Sequence, residues 1–241
     1  MMSLKVVLFD LDGTLLPLNM DTFIHAYFSS LAEKLSAYGY EKKSLIGAIY
    51  QGIAAMVGND GEKTNEEAFW QAFACVYGED ARRDEVHFRE YYEKDFDSVK
   101  AVTSPTEKSA ETVKVIKSLG LRTALATNPV FPAVATEHRI AWAGLSPADF
   151  EFYTTYENSS FCKPNPKYSL RAIKAEIPAK AMKQLSIVGE EVDGNALYFN
   201  WMALADLGVP ENMPFCARFI SDIPLVISHK NHQASHRSSA F

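Results

Sequence analysis

The sequence predicts an α/β fold, a parallel sheet covered by helices, with a helical unit inserted early in the chain. Three observations carry this. Short apolar runs at 5–9, 121–126, 152–155 and 185–188 lack polar alternation, as strands buried on both faces do. Loop residues and then a helical pattern follow each run, the rhythm of a parallel sheet. The stretch from Asp10 to Leu121 breaks that rhythm: it holds no strand pattern and is far longer than one crossover needs.

The first strand, Lys5 to Phe9, is stopped by Asp10. Helical stripes follow, Phe23, Tyr27, Leu31 and Leu35, then Leu45, Ile49, Ile53 and Met56. Thr64-Asn65-Glu66-Glu67 has the form of a capping box opening a third helix through Phe69, Phe73 and Val76. Arg83 to Phe96 makes a fourth. Aromatic residues at this spacing read as packing, so Phe69, Trp70 and Phe73 are expected in a core and not against a cofactor. The division predicted is a helical cap domain over about 19–101, inserted into a core of 1–18 and 102–227. The linkers near Leu16–Asn19 and Ala101–Pro105 are expected hinges, where Pro17 and Pro105 oppose a continuous helix. Beyond them, Thr106 to Leu119 is helical and Gly120 stops it; Phe131 to Trp142 is helical; Pro166 opens another helix that ends before Pro178. The polar tail 228–241, with His229, His232 and His236, reads as a frayed terminus and not as a metal site.

Composition excludes several classes. With 47% hydrophobic and 22% charged residues, the 241-residue chain can build a core and is too apolar to be disordered. Net charge is −6 and no basic cluster appears, so nucleic acid is not an expected partner. No apolar run approaches a membrane span, and the N-terminus lacks the length and cleavage site of a signal peptide. Cys75, Cys162 and Cys216 are scattered and odd in number, which favours a reducing, cytoplasmic setting over a disulfide frame or a CxxC metal site. Asp60 to Asp97 carries a net −7 and the rest sums to +1. That imbalance reads as a solvated helical face. It fits a protein whose ligand is small.

The strongest chemical signal is Asp10-Leu11-Asp12-Gly13-Thr14-Leu15, directly after the first strand. Ligands of open α/β sheets bind beyond the carboxyl ends of the strands, where Asp10 falls. Gly13 permits a turn that brings Asp12 to the same site. Two crowded carboxylates suit a hard divalent cation with oxygen ligands. They also suit a division of labour between a nucleophile and an acid/base.

This motif resembles the first motif of the haloacid dehalogenase superfamily. Three weaker motifs follow in order. They are Thr127 in Leu-Ala-Thr-Asn-Pro, Lys163 in Cys-Lys-Pro-Asn-Pro, and an acidic loop Gly189-Glu190-Glu191-Val192-Asp193-Gly194-Asn195 after an apolar strand. The resemblance covers about 4–18 and 102–208. It implies a Rossmann-like three-layer core and, since Thr127 and Lys163 lie too close together for the family's second cap type, a helical cap after the first motif. It further implies Mg²⁺ as cofactor, ligated by Asp10, Asp12 and Glu191. Asp10 would be the nucleophile and Asp12 the acid/base. Thr127, Asn128 and Lys163 would hold the phosphoryl oxygens. The fourth motif departs from the family, which carries Asp there. Glu191 takes the ligand place, Glu190 replaces an Asn, and Asn195 replaces a second Asp.

The function expected is a Mg²⁺-dependent phosphatase acting on a small phosphorylated metabolite through an aspartyl-phosphate. The second carboxylate, Asp12, argues against the dehalogenases of the family. A phosphomutase would keep both carboxylates. The altered fourth motif leaves a further alternative, a catalytically weakened or inactive binding or regulatory protein. The cap would shape the substrate pocket, and neither the substrate nor the oligomeric state is readable.

Overall fold

The computed structural model describes residues 6–163, 165, 168 and the strand at 185–188. The helix predicted from Pro166, the fourth motif with Glu190, Glu191, Asp193 and Asn195, Cys216 and the polar tail lie outside the described residues.

Strands β1 (Val6–Phe9), β2 (Arg122–Leu125) and β3 (Leu185–Val188) form a parallel sheet in the order β2-β1-β3. Val7, Leu8 and Phe9 are almost wholly buried, which is why this run needs no polar alternation. The register pairs Phe9 with Leu125 on one side and with Val188 on the other. The carboxyl ends of all three strands are therefore level, and the chain leaves each at the same edge.

The run at 152–155 differs from expectation. It meets β2 through a single parallel bridge, Leu125 with Tyr153, and goes no further as a strand. On the side facing β2, Leu125 N donates to Phe152 O at 2.9 Å and Thr154 N to Leu125 O at 3.0 Å; on the opposite edge the Asn158 side chain accepts from Thr155 N at 2.8 Å and donates to Tyr153 O at 2.9 Å, closing that edge to a further strand.

Between β1 and β2 lie α1 (Met20–Ser36), α2 (Lys42–Val57), α3 (Asn65–Tyr77), α4 (Glu85–Lys94) and α5 (Glu107–Ser118). Asn19 caps α1, Glu41 caps α2, and Thr64 with Glu67 completes the capping box of α3. The fourth helix begins two residues later than its pattern suggests, after a 3-10 segment at Glu79–Asp84. The Asp84 carboxylate is taken by Tyr40 OH at 2.6 Å and makes no cap. The aromatic stripe packs as expected: Phe69 stacks on Phe73 at 5.8 Å, and Trp70 meets Phe88 edge-on at 5.4 Å. The acidic stretch is a solvated face laced with ion pairs, Arg82 with Glu66 and Glu85, Lys94 with Glu90.

The segments that enter α1 and leave the region after α4 run side by side. Leu18 bridges Thr103 in antiparallel fashion, and Ser104 N donates to Pro17 O at 2.8 Å. Neither joins the central sheet. Downstream, α5 packs on β2 through Val113 and Ile116, and α6 (Ala133–Trp142) follows β2. The 3-10 segment Phe96–Val102 grips α6: Phe96 lies 4.9 Å from the Trp142 ring, and Asp97 accepts from Trp142 Nε1 at 2.7 Å and contacts His138 Nδ1 at 2.8 Å. Among the described residues no helix is long and apolar enough to cross a membrane.

One contact gives a stability prediction. A Cβ at Gly52, on α2, would stand 2.3 Å from a carbon of the Phe69 ring on α3. Alanine normally gains stability over glycine inside a helix. Here the Phe69 ring is packed against Trp70, Phe73 and Tyr156, so it must shift from those contacts to admit the methyl. Gly52→Ala is expected to lose about 1–3 kcal/mol as overpacking. Urea unfolding checks this, and a gain in stability would contradict it.

Candidate active site

Asp10 is the first residue past β1, and the chain turns sharply after it. Gly13 takes φ 79°, a conformation in which a side chain would be strained. Gly13 N donates to Leu16 O at 2.9 Å, and Leu16 N to Leu11 O at 2.8 Å. Leu11, Leu15 and Leu16 are buried and anchor the loop, leaving Asp10 and Asp12 at its polar side.

Each carboxylate has its own cation. Lys163 Nζ reaches Asp10 Oδ1 at 2.6 Å, and Thr14 Oγ1 stands 3.4 Å from Oδ2. Burial holds the Asp10 carboxyl above its ordinary range, against the opposing pull of Lys163, and the Asp12 charge adds to the rise. Asp12 Oδ2 is bound by Nη1 of Arg139, on α6. Asp12 Oδ1 is buried and has no hydrogen-bond partner among the described residues.

The other expected site residues come to the same edge. Thr127 is buried two residues past β2, and Ala126 N donates to Phe9 O at 2.6 Å. The Thr127 carbonyl accepts from Thr154 Oγ1 at 2.6 Å and Tyr168 OH at 2.7 Å. Burial raises the Tyr168 phenol well above its usual value, so it remains a donor. Asn128 Oδ1 accepts the Lys163 backbone N–H at 3.1 Å, which ties together the two loops that carry Thr127 and Lys163. Beside Lys163, burial pushes the Cys162 thiol up to about 12, so it is no nucleophile.

Three contributors escaped the sequence reading: Thr14, Arg139 and Asn65. Arg139 sits on the buried face of α6 with Ala135, Thr136, Ile140 and Trp142. A lone Arg on an otherwise apolar stripe is the signal that could have found it. Asn65, the first residue of α3, is fully buried, and its amide Nδ2 donates to Pro129 O at 3.1 Å and approaches Cys162 Sγ at 3.3 Å. Asn59 Nδ2 donates to Asn65 Oδ1 at 3.0 Å. The backbone N–H groups of Asn65 and Glu66 donate to Ser159 O and Tyr156 O at 2.7 and 2.9 Å. The start of α3 thus fastens the inserted helices to the loops next to Asn128 and Lys163. No sequence pattern marks this, since capping boxes are common. Asn65→Ala strands these buried groups and is expected to cost about 1–3 kcal/mol. Thermal unfolding tests this, and an unchanged melting temperature would refute it.

A cleft of about 280 Å³ opens between α4 and the start of α6, lined by Glu66, Tyr92, Pro132 and Glu157 among others. None of the five expected site residues described here lines it.

The donor set suits a hard cation in chemistry, with buried carboxylate oxygens at the head of a strand. Among the described residues, however, no group of three or more His, Cys, Asp or Glu is placed to hold a metal ion. The charges of Asp10 and Asp12 are matched by Lys163 and Arg139. A divalent ion would need further acidic ligands, and Glu190 and Glu191 lie outside the described residues.

A family model, haloacid dehalogenase-like hydrolase, matches residues 4–182. Among curated proteins none matches. Solved structures with similarity include the HAD-hydrolase YfnB from Bacillus subtilis, bound to magnesium (18% identity, TM-score 0.47, covering 79% of this chain and 81% of that one). A HAD phosphatase from Thermococcus onnurineus shares 18% identity, with a TM-score of 0.42 and coverage of 85% and 83%. The L-2-haloacid dehalogenase from Xanthobacter autotrophicus shares 15%, with a TM-score of 0.38 and coverage of 76% and 69%. The family match spans most of the chain, from the strand before Asp10 past Lys163, and the chain belongs to the haloacid dehalogenase-like hydrolases.

Proposed function

We propose that this hydrolase is a Mg²⁺-dependent phosphatase that acts on a small phosphorylated metabolite through an aspartyl-phosphate. The observation that carries the reading is the pair Asp10 and Asp12, two residues apart at the carboxyl end of β1, each held by a separate cation. A nucleophile needs one carboxylate. A second, separately held, is what protonation of a leaving group requires.

In this mechanism Asp10 attacks phosphorus and the bond to the leaving oxygen breaks. Asp12 gives that oxygen a proton, then takes one from the water that hydrolyses the acyl phosphate. Lys163 places positive charge beside the nucleophile and the phosphoryl oxygens. The Thr127 hydroxyl and the Asn128 loop complete the phosphoryl cradle. Asp10, the Asp12 carbonyl and Glu191 would hold Mg²⁺, which supplies neutralisation of phosphoryl charge. The helices of 19–101 serve as a cap domain over a core of 1–18 and 102–227, and they exclude bulk water from the site.

Mg²⁺-dependent hydrolysis of p-nitrophenyl phosphate, with trapping of an acid-stable acyl phosphate, tests the reaction. A panel of phosphorylated metabolites then ranks substrates. Activity is expected to vanish in excess EDTA and return with Mg²⁺. A pure, folded protein that hydrolyses no phosphate ester with Mg²⁺ would overturn the reading in favour of a binding or regulatory role.

A further inference from the structure

Arg139 belongs to neither the nucleophile loop nor the phosphoryl cradle, yet its side chain is wholly buried. A guanidinium is rarely taken out of water without a full set of partners. Four contacts fix this one. Nη1 binds Asp12 Oδ2, Nε donates to Ala135 O at 3.2 Å, and Nη2 donates to Thr136 Oγ1 at 3.2 Å. Its face covers the Phe131 ring at 4.3 Å. The backbone and Thr136 contacts come from the preceding turn of α6, so the plane of the fork is set before it meets the carboxylate. Asp12 is thereby held by one oxygen only, and its other oxygen, Oδ1, is buried and without a hydrogen-bond partner among the described residues.

We infer that Arg139 is the positioning residue for the acid/base Asp12: it commits Oδ2 to the guanidinium and presents Oδ1 as the single oxygen that carries the proton. The inference rests on the phosphatase reading and deepens it. In the first step the phosphorus–oxygen bond to the leaving group breaks, that oxygen keeps the electron pair, and the proton on Asp12 Oδ1 moves to it. In the second step water oxygen bonds to phosphorus and its proton goes to Asp12 Oδ1. The acyl-phosphate bond then breaks, returning Asp10 as carboxylate. Arg139 touches neither substrate nor water. A carboxylate freed from it rotates, and either oxygen then meets the reacting atoms at poor geometry.

A rotated acid/base has a signature that general unfolding lacks. An alkyl phosphate needs leaving-group protonation, whereas p-nitrophenolate departs without it. Both substrates need the base to hydrolyse the intermediate. In Arg139→Met, with Mg²⁺ present, kcat for an alkyl phosphate is expected to fall about 10²- to 10³-fold, in the range that general acid/base groups contribute. With p-nitrophenyl phosphate, the phosphorylation burst is expected to slow by less than about 10-fold. Steady turnover then slows far more, so trapped phosphoenzyme accumulates above its wild-type level. KM for p-nitrophenyl phosphate is expected to fall along with steady turnover, because the slowed step follows phosphorylation, so that kcat/KM falls by less than about 10-fold. Arg139→Lys keeps the charge but not the fork, and should recover part of the loss with the same substrate preference.

Circular dichroism establishes the folded fraction. If Arg139→Met does not fold, Arg139→Lys carries the comparison alone. Equal losses on alkyl and aryl substrates, with no accumulation of phosphoenzyme, would overturn the role of Arg139 and leave the phosphatase reading standing. Failure to trap any phosphoenzyme in the wild-type protein would instead overturn that reading, and this inference with it.

Discussion

Asp10→Asn is expected to lower phosphatase turnover by at least about 10³-fold, since removing a nucleophile leaves only binding and electrostatic effects. The fold should survive the change. Asn is nearly isosteric, and Asp10 is a group for which burial outweighs the attraction of Lys163, so its carboxyl is raised. In the folded protein the ionised form is therefore the costly one. The native state binds this proton more tightly than the unfolded chain does. Wild-type stability from this group is thus fully present below the ordinary carboxylate pKa and is lost as pH rises through the elevated value. Asn suffers no such loss. The mutant should be at least as stable as wild type at pH 7, with the advantage disappearing at acid pH. Melting curves at both pH values and a phosphoenzyme trap check the two halves separately. Wild-type turnover in the mutant would sink the aspartyl-phosphate mechanism.

The fold was legible where burial leaves a simple trace. β3 coincides with the apolar run Leu185–Val188, and β1 and β2 fall inside theirs; in β1 and β2 nearly every described residue is buried, so alternation is not needed. The stripes of α1 and α2 and the capping box of α3 were equally plain. The run at 152–155 misled for a reason of its own. Its apolar character is real, but its pairing with β2 is a single bridge at Tyr153, and the Asn158 side chain occupies Tyr153 O and Thr155 N on the outer edge, neither of which leaves a periodicity to read.

The site divides in the same way. Asp10, Asp12 and Thr127 were readable because they lie just past the ends of β1 and β2, which a level parallel register brings together; Lys163 was marked by motif order alone and reaches Asp10 from a loop. Arg139 and Asn65 depend on helix packing. Arg139 reaches Asp12 from α6 across 127 positions of sequence, and Asn65 meets Pro129 from α3 across 64. Such contacts are set by how helices seat on the core, for which a single sequence holds no code. An expectation drawn from motif order thus finds side chains that the fold brings to one edge. It overlooks those that hold them in place, because positioning groups are chosen by tertiary geometry.

Lys163→Met is expected to cut kcat/KM by about 10²- to 10³-fold, the scale of removing one charge-stabilising contact at a reaction centre. The direction of its pH effect follows from the contacts. Lys163 Nζ stands 2.6 Å from Asp10 Oδ1, and its charge and hydrogen bond are what hold the Asp10 carboxyl down against burial. Without Lys163, Asp10 loses the side-chain cation that opposes burial and the Asp12 charge. Its pKa must rise further. Attack requires the ionised carboxylate, so the acid limb of the pH–rate profile should move to higher pH in Lys163→Met. Lys163→Arg keeps a positive charge beside Asp10, so the limb should stay near its wild-type position while the rate falls less. The loop itself should hold, because the contact to Asn128 Oδ1 is made by the Lys163 backbone N–H, which both variants retain. Profiles of kcat/KM from pH 4 to 9 for the three proteins decide the matter. A limb unmoved in Lys163→Met would show that Lys163 does not set the ionisation that governs the rate, and its pairing with Asp10 would then have no part in the pH profile.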